Sequence, residues 1–440
     1  MKIGFVIQRY GTEVLGGSEH LCRLVAERLA AQHGVDVLTT CARDYVTWKN
    51  EYPEGADRIR GVTVRRFANA RTRDLAAFNK YSEWIFNNAH SRADEMEWLK
   101  QQGPWCPTLV EYLRRHQQQY DVIIFFTYLY ATTVTGLEVN ASKSLLVPTA
   151  HDEPAIRLEI FKDVFSRPAA LLYNTESERA FVHQQFDERP LLEEVVGVGV
   201  DMPQHQPYPR MSEAAEEDAT ERRESISEGQ ESTDERRELT DDESVPAGEF
   251  PSHLLSRGAV FRRRHRLYGP IVLYGGRIDP GKGCEELIEY FSSYVKDGGQ
   301  GTLTLMGVKL MALPEEPFIR FAGLLSDHER LQALEAATVV VVPSPYESLS
   351  LLALEAFAVG TPILANARSQ VLVEHCLRSN AGLFYADRDE FVECLELLIG
   401  DASVRAALGR NGREYVRRNY RWDVVLAKYE GIFAKIRAAR

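Results

Sequence analysis

Ile271 to Lys296 reads IVLYGGRIDPGKGCEELIEYFSSYVK, and this stretch decides how the 440-residue chain is read. Ile271–Tyr274 is a short apolar run of strand type, Tyr274–Gly283 is a glycine-rich turn, and Cys284–Lys296 carries a helical pattern. Strand, tight turn and helix in that order form the repeating unit of a parallel sheet. Toward the C-terminus the unit recurs. Strands are expected at Thr302–Met306, Ile319–Ala322, Thr338–Val342, Pro362–Ala365 and Gly382–Tyr385. Helices are expected at His328–Ala337, Leu351–Ala358, Asp389–Leu398 and Ser403–Val416. Toward the N-terminus a second series appears, with strands at Lys2–Gln8, Val35–Thr39, Val62–Phe67, Val122–Phe126, Ser144–Pro148, Ala170–Tyr173 and Leu192–Val196. Helices fit at Ser18–Gln32 with Ser18 as N-cap, at Pro107–His116 and at Glu176–Phe186. The fold class is therefore α/β, with two doubly wound halves whose ligands belong at the carboxyl ends of the strands and in the cleft between them.

The two series are separated by Met211–Glu249, rich in Glu, Ser, Arg, Asp and Thr. Residues 211–250 hold 15 Asp/Glu against four Arg, a local net of −11 within a total of −12. Such a stretch is expected to be a disordered, solvated insertion. The other 400 residues carry only −1, which argues against nucleic acid as a partner. The six cysteines lack C-x-x-C spacing, so a zinc ribbon or redox pair is not indicated. The best apolar run, Val122–Gly136, is too short for a membrane span and holds four Thr. Met1–Gln8 reads as a strand, so a cytoplasmic location is expected, with peripheral membrane contact as its extension. Arg58–Lys80 carries seven cations ahead of Phe78, Tyr81, Trp84 and Phe86; the sharp reading is an anionic-membrane surface, the plain one a solvated loop plus a core helix.

Three segments carry chemistry. Gly16-Gly17 precedes a helix start, where bare backbone can approach a phosphate. It is not G-x-G-x-x-G, which disfavours a nicotinamide enzyme. The turn Tyr274–Gly283 nearly matches a P-loop, but Gly283 stands where that motif needs the Mg²⁺-holding hydroxyl. What remains is Arg277 and Lys282 on one loop, fit to neutralise a diphosphate. In PYESLSLLALEAFAVGTPILA, Pro345–Ala365, Glu347 sits in the turn before a helix and Glu355 inside it. Amides of Leu349 and Ser350 lie at that helix start. Two carboxylates for hydroxyls and free amides for phosphate are what a sugar nucleotide requires.

Together these elements resemble the retaining glycosyltransferases of the GT-B fold, family 4. The E-x7-E element falls at Glu347 and Glu355, and the Gly-Arg…Lys-Gly element at Gly276, Arg277, Lys282 and Gly283. Asn174-Thr-Glu-Ser and Gly199-Val-Asp201 are similar to further family segments. The resemblance implies an N-terminal acceptor-binding domain (1–204), a linker with the acidic insertion (205–265), a C-terminal donor-binding domain (266–421) and a final helix (422–440) crossing back to the first domain. It implies that Arg277 and Lys282 hold the donor diphosphate and Glu355 the ribose hydroxyls. Glu347 would contact the donor sugar, amides around Ser348, Leu349 and Ser350 the phosphates, and Gly16 and Gly17 the diphosphate from the facing domain. His151 would be catalytic, with Asp152 beside it near the acceptor. Ser350 departs from the Gly of many relatives, which narrows the pocket. No cofactor and no metal are implied; the substrate is a nucleotide-diphosphate sugar. Asp387-Arg-Asp389 is read as a helix N-cap instead of a metal motif. The implied partners are a UDP- or GDP-sugar and a glycan or lipid-linked acceptor, in cell-surface polysaccharide or glycoconjugate synthesis. Rival readings are a nucleotide-sugar epimerase or hydrolase of the same fold, and a non-catalytic nucleotide-sugar-binding scaffold.

Overall fold

The computed structural model describes residues 1–14, 16–202 and 256–438. The acidic tract at 211–250 and most of the expected linker lie outside the described residues.

The first sheet has eight strands: β1 (Lys2–Val6), β2 (Gly34–Thr40), β3 (Gly55–Ile59), β4 (Val62–Phe67), β5 (Val122–Phe126), β6 (Ser144–Val147), β7 (Ala170–Tyr173) and β8 (Glu193–Val195). Their order is β3-β4-β2-β1-β5-β6-β7-β8, parallel except for the antiparallel edge strand β3. The second sheet has β9 (Ile271–Ile278), β10 (Thr302–Lys309), β11 (Ile319–Gly323), β12 (Val339–Val342), β13 (Ile363–Asn366) and β14 (Gly382–Tyr385). Its order is β11-β10-β9-β12-β13-β14, and every pair is parallel. Both sheets reverse winding direction at one point, β1/β5 in the first and β9/β12 in the second. Crevices open at such reversals, at the carboxyl ends of the strands. The loops leaving β1, β9 and β12 are those that carry the three segments singled out above. Central strands such as β5 and β12 are buried along their whole length, which is why they read as unbroken apolar runs.

Several local readings change. Ser18 is not the N-cap: the helix runs Gly17–Leu29, Gly16 stands at the cap position, and no side chain caps it. The Ser18 hydroxyl is instead bonded to Glu19 Oε2 at 3.0 Å. Arg257–His265, expected within the linker, is a helix capped by Ser256. It packs on the Asp327–Ala336 helix with Phe261 fully buried, so it belongs to the second domain. Of the seven cations of Arg58–Lys80, Arg58, Arg60, Arg71 and Lys80 are exposed, while Arg65, Arg66 and Arg73 turn to partners within the first domain. Arg66 is 7% exposed, donates to Tyr10 O at 2.9 Å and lies over the Tyr52 ring. Arg65 approaches Asp36 at 3.7 Å, and Arg73 donates to the carbonyls of Val46, Gln102 and Tyr45. Asp387 caps the Arg388–Gly400 helix by accepting from Glu390 N at 3.0 Å. No described helix is long and apolar enough to cross a membrane.

The last helix, Trp422–Ala438, buries Val425, Tyr429, Ile432, Phe433 and Ile436. It lies against the first domain. His33 Nε2 is 2.5 Å from Glu430 Oε1, and Lys428 Nζ donates to Val195 O at 2.8 Å. A Cβ on Gly199 would stand 2.3 Å from the Trp422 ring, so glycine at 199 is what admits the indole. Five such side chains, at roughly 1.5–3 kcal/mol each as an upper bound, are enough to hold a helix across two domains.

Candidate functional site

β9 delivers Arg277 at its last turn, and the chain then breaks at Asp279, whose carboxylate accepts from Lys282 N at 3.1 Å. That Asp-Pro-Gly-Lys turn aims Lys282 at the neighbouring β12 loop. There Lys282 Nζ meets Glu347 Oε1 at 2.7 Å and Ser344 Oγ at 3.4 Å. Arg277 lies 3.4 Å from Asp279 and reaches over the cleft, its NH1 3.5 Å from Tyr45 Oη of the first domain.

The β12 loop ends at Ser350, the cap position of the Leu351–Val359 helix, with φ 62° and ψ 80°. This left-handed conformation explains why glycine suits the position and shows that Ser is accommodated at a cost. The Ser350 side chain makes no capping hydrogen bond, so the first amides of this helix, at its positive end, are not consumed by it. One turn on, Glu355 is gripped by Arg330, with contacts of 2.9 and 2.7 Å. Burial pushes the Glu355 carboxyl above the usual range, and the Arg330 guanidinium pulls it back.

From the first domain, Gly16 and Gly17 open the helix after β1. A Cβ on Gly16 would stand 2.1 Å from Glu19 Oε2, while one on Gly17 would meet nothing within 4 Å. Gly17 thus faces open space. Glu19 is turned inward to Arg9, 2.6 Å away. His151 follows β6 and lies with its ring 6.0 Å from that of Tyr346, next to Glu347. Thr149, just before it, holds φ 52°, and Thr127 at the end of β5 holds φ 70°, two strained positions at the mouth of the first sheet. Asp152 is not drawn into this group: it is exposed and paired with Arg157 at 2.5 Å.

The contacts thus bring Lys282 to Glu347, His151 of the first domain to Tyr346 beside it, Arg277 to Tyr45 across the cleft, and Arg330 to Glu355 one turn into the helix. Sequence reading missed Arg330, Tyr45 and His20. Arg330 carries no motif; a buried helical Glu355 was the one signal that a cation had to exist. The burial of His20 pushes its imidazole down to about 4, with Arg23 and Arg330 acting in the same direction. Among the described residues no group of three or more His, Cys, Asp or Glu is arranged to hold a metal ion.

Residues 260–415 match the family described as glycosyl transferases group 1. The matched residues fall within the second domain. Over 312 residues the chain is 24% identical to a D-inositol 3-phosphate glycosyltransferase of Jonesia denitrificans, 67% of this chain and 63% of that one. The matched stretch thus spans less than two thirds of that relative's length. Among solved structures, sucrose-phosphate synthase from Thermosynechococcus elongatus superposes with a TM-score of 0.63 at 19% identity over 100% of both chains. Anabaena HepE in complex with UDP and glucose gives 0.63 at 15% identity, over 99% of this chain and 100% of that one. At these identities the likeness is one of fold, and the fold is GT-B. The crevice described here lies between the two GT-B domains.

Proposed function

We propose that the chain is a retaining, metal-independent glycosyltransferase that moves a sugar from a UDP- or GDP-sugar to a glycan or lipid-linked acceptor. The observation that carries the reading is the meeting of Lys282, Glu347 and the Leu351–Val359 helix start at the β9/β12 reversal. Cleaving the anomeric bond places negative charge on the departing nucleotide diphosphate and positive character on the sugar carbon. Lys282, Arg277 and the Leu349 and Ser350 amides are preorganised for the first. Glu347, released from Lys282 as the diphosphate takes over that cation, turns to the sugar hydroxyls. Glu355, oriented by Arg330, receives the ribose. Gly17 lets the first domain come close to the diphosphate, and His151 stands on the acceptor side with Asp152 at its rim. An acceptor carried on a lipid would bring the first domain to a membrane, where the Leu75–Asn87 helix presents Leu75 and Trp84, each 40% exposed.

The test is thermal shift against UDP, GDP, ADP and their sugars, for wild type and Lys282→Ala. The expected result is stabilisation of a few degrees by one nucleotide, absent in the variant. The HepE neighbour, which binds UDP, puts UDP first in that panel. A folded protein that no nucleotide shifts would end the reading.

A further inference from the structure

His375 lies on the Gln370–Ser379 helix, is fully buried, and takes no part in the motifs above. Its Nε2 is 2.7 Å from the carbonyl of Leu349, and its Nδ1 is 3.1 Å from Tyr415 Oη. A carbonyl only accepts, so Nε2 carries the proton and Nδ1 accepts from the Tyr415 hydroxyl. Burial keeps the ring neutral by pushing its pKa down, which fits this tautomer. Tyr415 Oη is in turn 3.3 Å from Tyr420 Oη. The Leu349 carbonyl thus held belongs to the peptide that ends in the Ser350 amide, at the residue with φ 62°.

Two contacts from the first domain converge on this helix. Ser177 N donates to Glu374 Oε2 at 2.6 Å, and the Ser177 hydroxyl bonds the same carboxylate. Val200 N donates to the carbonyl of Tyr420 at 2.7 Å, at the far end of the Tyr420–Tyr415–His375 row. Glu374 and His375 are adjacent, so one helical turn faces the first domain and the β12 loop together. The Glu374 carboxyl is held below its usual range by Ser177 and Arg378 against the cost of burial, so the clasp stays ionised near neutral pH.

We infer that His375 is a positioning residue that couples the seating of the first domain, through Glu374 and Tyr420, to the backbone amides of the β12 loop that grip the donor phosphates. Rotation of the Leu349–Ser350 peptide would swing the amide away from an anion, and the strained φ at Ser350 gives it reason to rotate once the carbonyl is released. The inference rests on the donor-site reading for its ligand, but not for its test.

Three full-length variants decide it: His375→Leu, His375→Gln and Glu374→Leu, the last removing the carboxylate that receives both Ser177 donors. The first readout is hydrogen–deuterium exchange of the 346–352 amides without ligand. Faster exchange in His375→Leu and Glu374→Leu, with near wild-type exchange in His375→Gln, whose amide still donates to the Leu349 carbonyl, is the expected result. The second is affinity for the nucleotide that stabilises wild type. A loss of about tenfold in His375→Leu, restored in His375→Gln, and a several-fold loss in Glu374→Leu are expected. Wild-type exchange in either His375→Leu or Glu374→Leu overturns the coupling. A wild type that binds no nucleotide ends the donor-site reading alone, and the exchange experiment still decides the role of His375.

Discussion

Lys282 Nζ and Glu347 Oε1 stand 2.7 Å apart although 65 positions separate them in the chain. The pair exists because β9 and β12 are neighbours in the second sheet, so the loops that leave them face one another. Both side chains are partly open to solvent, at 29% and 17% exposure, so an incoming anion can compete for the ammonium. Replacing Lys282 by Ala is expected to lower turnover about 100-fold, the size of effect seen when one preorganised charge is removed from a developing anion. Initial rates at saturating sugar nucleotide measure it. A change under threefold would take Lys282 out of the diphosphate grip.

Glu355 and Arg330 form the second pair of the crevice, with the guanidinium held in a fork. Removing the carboxylate leaves a half-buried cation without its partner. Glu355→Ala is expected to destabilise the chain by about 2–3 kcal/mol in a denaturant melt, and the double variant Glu355→Ala, Arg330→Met by less. A loss in the double variant equal to the sum of the Glu355→Ala and Arg330→Met losses would show that the pair does not couple.

Ser350 sits at φ 62°, where an L side chain is strained. Ser350→Gly is expected to raise stability by up to about 1 kcal/mol, while the β-branched Ser350→Val lowers it. Thermal unfolding reads both. A glycine variant less stable than wild type would mean that the hydroxyl makes a contact worth more than the strain.

His20 titrates at about 4 instead of 6.5, through burial and the cations Arg23, Arg330 and Arg60, with Asp327 opposing. As pH falls, the unfolded chain takes up this proton first. The His20 contribution is therefore complete above 6.5 and is lost as pH drops toward 4, by about 3 kcal/mol at most. His20→Gln should flatten the slope of stability against pH in that window. An unchanged slope would assign the acid sensitivity to other groups.

Gly199 touches the Trp422 ring and Trp422 stacks with Arg28 at 4.9 Å. Gly199→Val is expected to displace the last helix from the first domain, seen as faster proteolysis near Trp422 and a lower unfolding temperature. Retained protection would show that the crossing helix is held by its other contacts.

The α/β layering was legible because buried parallel strands such as Val122–Phe126 and Val339–Val342 must be apolar along their length, and the turns after β9 and before Leu351 must carry glycine or polar groups where a ligand approaches. Those are local demands, written into local sequence. Gly55–Ile59 escaped notice because an exposed edge strand needs no apolar pattern, and Arg257–His265 because its four arginines mask the one face, around Phe261, that it buries. The cations of Arg58–Lys80 read as a surface charge run, yet Arg66 is buried under Tyr52; sequence shows that a charge is present and not which carbonyl or ring receives it. The sequence by itself determined the two wound domains, the glycine-rich loop with Arg277 and Lys282, and the paired Glu347 and Glu355. Only the tertiary structure decided that Lys282 meets Glu347, that Arg330 holds Glu355, that Asp152 turns away to Arg157 and that His375 reaches the Leu349 carbonyl. Each of those contacts joins side chains from different strands or helices, and their meeting is fixed by strand order and helix packing, which no single stretch of chain contains.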